Sequence, residues 1–320
     1  MMAGLAMVLL ASALLIAALL VAAGVFTWAE RRVLGFFQER LGPNRVGPFG
    51  FFQWIADTVK LISKEDAAPH GADVPAYRLA PLLAAAPVLA GFGVVAFGRD
   101  LTVSTLDVGV IFVIGMLALT VWAMVLGAWA SRNRYSILGG LRAAAQMLAY
   151  ESFLGLSLMG VVLLSGSFSL GEIVAAQKGL WFIVLQPVGA ALFFVAGVAA
   201  AHRLPFDLPE SENDLVAGFM TEYSGMSFAL FFLGEYLAVL LVAALGTTLF
   251  LGGWLGPVLP GPVWFGLKVG FIAFVFIWLR ATLPRPRYDQ LIAFAWKFAL
   301  PLALLNLLVT GWIVTGNHAS

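Results

Sequence analysis

Apolar residues in this chain form long continuous runs, and polar residues gather in the stretches between them. A helix that crosses a bilayer needs about 20 mainly apolar residues. Eight runs reach that length, at about 4–28, 79–98, 108–131, 143–165, 180–201, 217–246, 263–283 and 292–315. The pattern therefore predicts an all-α fold, a polytopic membrane protein with eight transmembrane helices in a single domain over 1–320.

Composition supports a membrane protein and excludes several classes of site. Hydrophobic residues make up 62% of the chain and charged residues 11%, whereas soluble domains carry about 25% charged residues. The net charge of +1 indicates no nucleic-acid partner. Without cysteine the chain cannot hold a disulfide, an iron–sulfur cluster or a thiolate zinc site. The histidines, His70, His202 and His318, are scattered singly, so we expect no metal site.

Flanking charge predicts how the spans are oriented. Residues 1–29 carry no charged side chain, which favours a transmembrane helix over a cleaved signal. Fourteen lysines and arginines flank the connections on one side of the predicted bundle, and two, Arg99 and Lys178, flank the other. By the positive-inside rule both termini are expected outside, on the periplasmic side of a bacterial inner membrane.

The first connection, residues 30–78, forms a long basic platform that is rich in glycine and proline. Within it, residues 51–64 read as a helix that carries Gln53, Asp57 and Lys60 on one stripe and apolar residues elsewhere. Such a helix is too short and too charged to span, so we expect an amphipathic helix along the membrane surface. A plain surface anchor stays open as the alternative.

A second connection, residues 202–216, is acidic. Its carboxylates are Asp207, Glu210, Glu212 and Asp214. Pro205 interrupts a regular helix, and Pro209 followed by acidic residues suits the first turn of a new one. An ordinary solvated loop between two spans is the alternative interpretation.

Ionisable residues also lie within or at the ends of the predicted spans. Glu222 and Glu235 fall in the sixth, Glu151 in the fourth and Lys268 in the seventh, while Glu30 closes the first. Lipid cannot solvate such groups, so they must face one another or water. Protonatable side chains in a low-dielectric interior predict a proton or charge relay. For any single acid, snorkelling or one structural hydrogen bond remains the alternative.

Two long motifs resemble signatures of a known family. The first runs from ERRVLG at 30–35 through GPNRVG at 42–47 to ADTVKL at 56–61. The second joins PFDLPE at 205–210 to TEYSGM at 221–226. Both are similar to the quinone-chamber membrane subunit, the bacterial NuoH type, of proton-pumping NADH:quinone oxidoreductase, respiratory complex I. AQ at 145–146, YE at 150–151, RATLPR at 280–285 and RYDQ at 287–290 match further family segments.

The resemblance implies a subunit that joins the membrane arm of the complex to its hydrophilic arm. The expected partners are the hydrophilic quinone-site and iron–sulfur subunits, the small membrane subunits, the antiporter-like subunits and membrane lipid. Ubiquinone or menaquinone is the expected substrate, and FMN and the iron–sulfur clusters belong to partner subunits. The chain has no redox centre of its own, so it acts as an enzyme only within the complex.

The resemblance also implies roles for individual residues. The residues expected to line or support the quinone tunnel and its junction are Glu30, Arg31, Arg40, Asp57, Lys60, Arg203 and Arg280. The residues expected to respond to quinone reduction and to carry the acidic chain onward are Asp207, Glu210, Glu212, Asp214, Glu222, Glu151 and Glu235. Relatives usually carry the motif Glu-x-Glu-x-Glu-Leu. The corresponding motif in this chain closes with Glu212-Asn213-Asp214-Leu215, so the side chain of its third carboxylate is one methylene shorter.

Two other functions remain open at this point. One is the homologous membrane subunit of an energy-converting hydrogenase or of another donor:quinone oxidoreductase. The other is a stand-alone secondary transporter, which could use the same intramembrane acids but would not need the basic platform. A purely structural anchor is the least compatible with the intramembrane glutamates.

Overall fold

A computed structural model describes residues 2–99, 101–210 and 216–319, and the regular secondary structure in these ranges is helical without strands. The helices, numbered here in chain order, are α1 Met2–Phe37, α2 Gln53–Ser63, α3 Val74–Phe92, α4 Gly109–Ala130, α5 Arg134–Ser165, α6 Leu170–Ala176, α7 Phe182–Leu185, α8 Pro187–Ala200, α9 Gly225–Phe250, α10 Gly261–Thr282, α11 Tyr288–Phe294 and α12 Leu300–Ala319. A π-helical turn, Ala295–Ala299, joins α11 to α12.

Seven helices among the described residues are long and apolar enough to cross a membrane: α1, α3, α4, α5, α9, α10 and the continuous α11–α12. The sequence predicted eight, and the difference falls at 180–201. There the helix breaks at Gln186, where α7 ends and α8 begins. Pro187 explains the break, since proline lacks the N–H of a continuing helix and disfavours a helical residue before it. At 14 residues, α8 is about 21 Å long, short of a bilayer core of about 30 Å.

Other helix ends also differ from the expected ones, including both ends of α3, which spans Val74–Phe92 instead of 79–98. Helix α1 continues to Phe37, so the charged residues at 30–32 are helical. Helix α5 begins at Arg134 instead of 143, because the Asn133 side chain accepts a hydrogen bond from the Tyr135 N–H at 2.8 Å and caps it. The sixth span begins at Gly225 instead of 217, after a 3₁₀ turn at Gly218–Met220.

Helix α2 covers most of the predicted surface helix at 51–64 and packs against α1 and α9. None of its residues is fully buried by this chain. Val59 and Ile62 are 61% and 63% exposed, so lipid or another subunit must cover them if they are to leave water.

Helix α9 is the centre of the bundle. In its most apolar stretch 72% of residues are buried, against 11% for α1. It packs on α3, α8 and α10, and small residues allow close approach. A Cβ on Gly234 would lie 2.6 Å from the Ala84 carbonyl oxygen of α3, and one on Gly197 of α8 would overlap the Val242 side chain of α9. Whatever side chains α9 carries are therefore held firmly in the interior.

Lys268 closes the far end of α9. Its ammonium group donates to the carbonyl oxygens of Leu251, Gly253 and Leu255 at 2.6, 3.0 and 2.7 Å, and lies 4.4 Å from the Trp181 ring centre. A cation suits the negative end of a helix dipole. These contacts explain the burial of Lys268, because it caps a helix. The sequence alone groups this residue with the relay acids.

Candidate functional site

A cavity of about 590 Å³ opens where the ends of α1 and α10 meet the first half of α9 and the segment that follows α8. Its lining mixes charged and apolar side chains. The charged and polar residues are Glu30, Arg31, Arg40, His202, Arg203, Asp207, Glu210, Tyr236, Arg280 and Arg285, and the apolar ones include Leu34, Met220, Phe228 and Phe232. The volume falls within the range of about 300–1,000 Å³ that small-molecule sites occupy.

Glu30 is the anion at which two cations of the cavity, Arg203 and Arg280, meet. It is 4% exposed and accepts a hydrogen bond from Arg280 Nη1 at 2.6 Å and another from the Tyr236 hydroxyl. Arg203 Nη1 lies 3.7 Å from the same carboxylate. A buried carboxylate needs such partners to offset its lost hydration. Three helices and the loop are thus joined at one charge.

Arg203 brings unused hydrogen-bond donors to the cavity. Its guanidinium lies 4.0 Å from the centre of the Tyr236 ring, and Nε and Nη2 have no hydrogen-bond partner among the described residues. Burial alone would lower the pKa of Arg203, but the nearby carboxylates, Glu30 foremost, raise it above its usual value. A charged arginine with free donors on a cavity wall can bind a carbonyl oxygen or water.

The acidic side of the cavity begins at Asp207. Arg285 Nη2 donates to its Oδ2 at 2.9 Å, and Oδ1 has no hydrogen-bond partner among the described residues. Burial and then the charge of Glu210 raise the pKa of Asp207 to about 7, against the opposing effects of Arg285 and Arg203. This carboxyl group can therefore gain or lose a proton near neutral pH.

Glu210 links the cavity to the interior of the bundle. Its side chain hydrogen-bonds to Glu235 of α9, which is 5% exposed. Two carboxyl groups can share a hydrogen bond only when one carries a proton, because two carboxylates at that distance repel each other. Asp207, Glu210 and Glu235 thus form a row of acids that runs from the cavity into α9.

The structure brings together seven of the predicted site residues on the wall of this cavity: Glu30, Arg31, Arg40, Arg203, Asp207, Glu210 and Arg280. Asp57 lies beside it through a 2.6 Å ion pair with Arg31 that joins α1 to α2, and Lys60 is exposed on α2. Glu212 and Asp214 lie outside the described residues.

Besides Glu235, which lies deeper in α9, two predicted relay acids do not line the large cavity. Glu222 lies beside the connection between α4 and α5, where Asn133 Nδ2 donates to its Oε1 at 2.5 Å. Glu151 is on α5, and its Oε1 has no hydrogen-bond partner among the described residues. The neighbouring Tyr150 lies with its ring centre 5.1 Å from that of Phe206, so this part of α5 packs on the acidic segment.

Sequence reasoning missed Tyr236, His202 and Arg285 as site residues. Tyr236 follows an intramembrane glutamate, and a buried tyrosine hydroxyl usually needs a partner, which is a usable signal. Arg285 is the last residue of the RATLPR segment, which matches the family but indicated no role for this arginine. His202 is 4% exposed, and burial together with Arg203 lowers its pKa to about 4, so the ring is neutral at pH 7.

Comparison with known proteins places the chain among membrane subunits of one enzyme. The family model described as NADH dehydrogenase matches residues 10–311. The chain is 81% identical over 298 residues to an H subunit of the NADH-quinone oxidoreductase of Cereibacter sphaeroides, covering 93% of this chain and 94% of that one. It is 71% identical over 319 residues to an H subunit of the NADH-quinone oxidoreductase of Rhodopseudomonas palustris, over the full length of both.

A more distant relative shares the same extent. An H subunit of the NADH-quinone oxidoreductase of Geobacter sulfurreducens is 50% identical over 301 residues, covering 91% of this chain and 92% of its own. The match thus includes the platform, the acidic segment and the bundle around the cavity. On this family match and these identities, the chain belongs to the NADH dehydrogenase family.

Proposed function

We propose that this chain, as the H subunit of an NADH:quinone oxidoreductase, forms the membrane part of the quinone tunnel and couples quinone reduction to proton translocation. One observation carries the proposal: a single cavity is lined both by Glu30 with Arg203, Arg280 and Tyr236, the Glu30 cluster, and by the acids that lead to Glu235. The relatives are subunits of NADH-quinone oxidoreductases, which supports the assignment of the enzyme, and the cavity supports the assignment of the site.

Quinone reduction needs two electrons and two protons for each quinol formed. This chain has no cysteine for an iron–sulfur cluster, so the electrons come from partner subunits that hold FMN and iron–sulfur clusters. The chain's part is to hold the head group and manage protons. Arg203 offers donors to a quinone oxygen, and Phe228 and Phe232 offer apolar wall to its ring.

Asp207 is the group suited to respond to the reaction. Its pKa of about 7 lets it give a proton towards the quinol and then be stabilised as a carboxylate by Arg285. The new charge acts on Glu210, which shares a hydrogen bond with Glu235. A change at the cavity thereby alters the proton that these two acids share.

The platform, the α7–α8 pair and the remaining acids have roles in the same proposed function. The platform with Arg31, Arg40, Asp57 and Lys60 forms the tunnel entrance and the junction with the hydrophilic arm. The broken pair α7–α8 makes the eighth crossing, and both termini lie on the periplasmic side of a bacterial inner membrane. Glu151 and Glu222, with Glu212 and Asp214, extend the acidic chain towards the small membrane subunits and antiporter-like subunits.

A gentle detergent purification through a tag on this chain tests the assignment. We expect large soluble iron–sulfur subunits to copurify, with NADH:quinone reductase activity that a tunnel-blocking inhibitor abolishes. A lone polypeptide without redox partners would contradict it and favour the transporter. Copurification with hydrogenase activity and no NADH oxidation would favour the hydrogenase-type complex.

A further inference from the structure

A second, much smaller cavity lies deeper in the bundle, among α3, α4, α8 and α9. Its volume is about 10 Å³. Its polar lining consists of Thr120, His202 and Glu235, and the rest is Ala84, Met124, Ala200, Phe231, Gly234 and Ala238. One water molecule needs about 10–15 Å³ by this measure and two to four polar partners. The space is of the size of a single water and is lined by enough polar groups to hold one.

Each polar residue on this wall has capacity for such a water. Glu235 Oε1 is buried without a hydrogen-bond partner among the described residues. The Thr120 hydroxyl donates to the Leu117 carbonyl oxygen at 2.7 Å, which leaves its own oxygen able to accept. His202 is neutral at pH 7, so one ring nitrogen can donate and the other can accept.

His202 lines both cavities, the large one and the small one. His202 therefore lies between the space around the Glu30 cluster and the space beside Glu235. The shared hydrogen bond of Glu210 with Glu235 connects the same two regions along a different path. Glu235 thus has an acid on one side and the small polar cavity on the other.

We propose that the small cavity binds one water molecule that joins Glu235 to His202 and Thr120, and that His202 is a positioning residue that orients this water. The inference rests on the proton relay proposed above. The water accepts a proton at its oxygen as another of its O–H bonds breaks, so it stays neutral overall and no electrons are exchanged. It joins the proton of Glu235 to the neutral His202 ring, which can accept a proton at one nitrogen and release one from the other.

The test uses the assembled complex in membrane vesicles with Thr120→Val or His202→Gln. Two quantities are measured: protons translocated per NADH oxidised, and the infrared C=O stretching band of Glu235, which is identified by its loss in Glu235→Gln. We expect both variants to shift that band and to lower the number of protons translocated per NADH, because loss of the positioned water slows proton transfer about a hundredfold, the low end of what a positioned proton-transfer group supplies.

Thr247→Val is the matched control. Thr247 is a buried threonine of α9 whose hydroxyl donates to the Ala243 carbonyl oxygen at 2.8 Å, and it lines neither cavity. We expect it to leave the Glu235 band in place, since it removes a hydroxyl without touching the water.

The outcomes separate this inference from the relay itself. If Glu235→Gln lowers the proton ratio while Thr120→Val and His202→Gln leave both the ratio and the band unchanged, the water bridge is wrong and the relay stands. If Glu235→Gln leaves the ratio unchanged, the relay fails and the bridge fails with it. A band that shifts equally in Thr247→Val would also overturn the bridge, because the shift would then report general packing.

Discussion

At the scale of single residues, the cavity is organised by one carboxylate with several donors. Arg280 and Tyr236 donate hydrogen bonds to Glu30, and Arg203 forms an ion pair with it. Each of these partners comes from a different part of the chain. Removing a partner from a buried ion pair leaves an uncompensated charge, which commonly costs about 3–5 kcal/mol. We therefore expect replacement of Glu30, the centre of this network, to destabilise the protein.

Glu30→Gln is expected to reduce both stability and NADH:quinone reductase activity. The amide removes the negative charge that compensates the buried guanidinium of Arg203 and the partly exposed one of Arg280, and we expect destabilisation of about 3 kcal/mol. Thermal inactivation of the purified complex measures it. Glu39→Gln, at an exposed position just after α1, is the control and should behave like the unchanged protein. Equal thermal stability of the two variants would contradict the role given to Glu30.

Asp207 makes a prediction about pH. Its pKa is about 7 in the folded protein against 3.8 for an ordinary aspartate, so the folded state holds the proton more tightly. The contribution of this group to stability is therefore lost as pH rises from about 4 to about 7. Asp207→Asn should flatten that part of the stability profile and remove an activity transition near pH 7.

The control for this pH effect is Asp289→Asn, an exposed aspartate paired with Arg287 at 3.1 Å. The activity profile of Asp289→Asn should keep the transition near pH 7. A transition that persists in Asp207→Asn would show that another group titrates there.

At the scale of elements, α9 holds Glu235 in place because both the middle and the end of this helix are fixed. Its middle lies against α3 at Gly234, and its end is capped by Lys268. At its start, Asp66 of the platform accepts hydrogen bonds from the Ser227 N–H and hydroxyl at 3.1 and 2.5 Å. The platform and the acid-bearing helix are thus physically connected.

Gly234→Ala is expected to destabilise the bundle by about 1–3 kcal/mol, since the added methyl would overlap the Ala84 carbonyl oxygen. Gly270→Ala on α10 is the matched control, because nothing lies within 4 Å of a Cβ there. Thermal inactivation of the two variants gives the comparison. Loss of stability in both would mean that helix packing at Gly234 is not the cause.

Lys268→Met is expected to lower thermal stability by about 3 kcal/mol, because three carbonyl groups lose a charged donor. The complex that remains assembled should translocate the same number of protons per NADH, since the lysine acts as a cap. Lys178→Met, at an exposed lysine, should change neither quantity. A lowered proton ratio in Lys268→Met would return this lysine to the relay.

At the scale of the whole molecule, the sequence predicts local structure better than it predicts which distant residues come into contact. Runs of apolar residues predict spans because a span is a local property of about 20 residues. The break at Gln186 also has a local cause in Pro187, yet the length of the apolar run conceals it. Motifs predicted Glu30, Arg280 and the acidic segment as site residues through family resemblance.

Local sequence patterns could not predict which residues come together to form the cavity. Tyr236 and Arg280 are 206 and 250 positions from Glu30, and their meeting depends on how α1, α9 and α10 pack. The separation of Glu151 and Glu222 from the cavity is likewise a property of packing. Residue type predicted which groups are chemically capable, and tertiary contacts decide which of them can exchange a proton.

We propose that Asp207, Glu210 and Glu235 couple quinone reduction to proton translocation. The most direct test is the number of protons translocated per NADH oxidised by vesicles that carry Glu235→Gln, with Glu172→Gln at an exposed position of α6 as the control. We expect an assembled complex with a lowered proton ratio for Glu235→Gln and an unaltered ratio for Glu172→Gln. An unaltered ratio for Glu235→Gln would contradict the account.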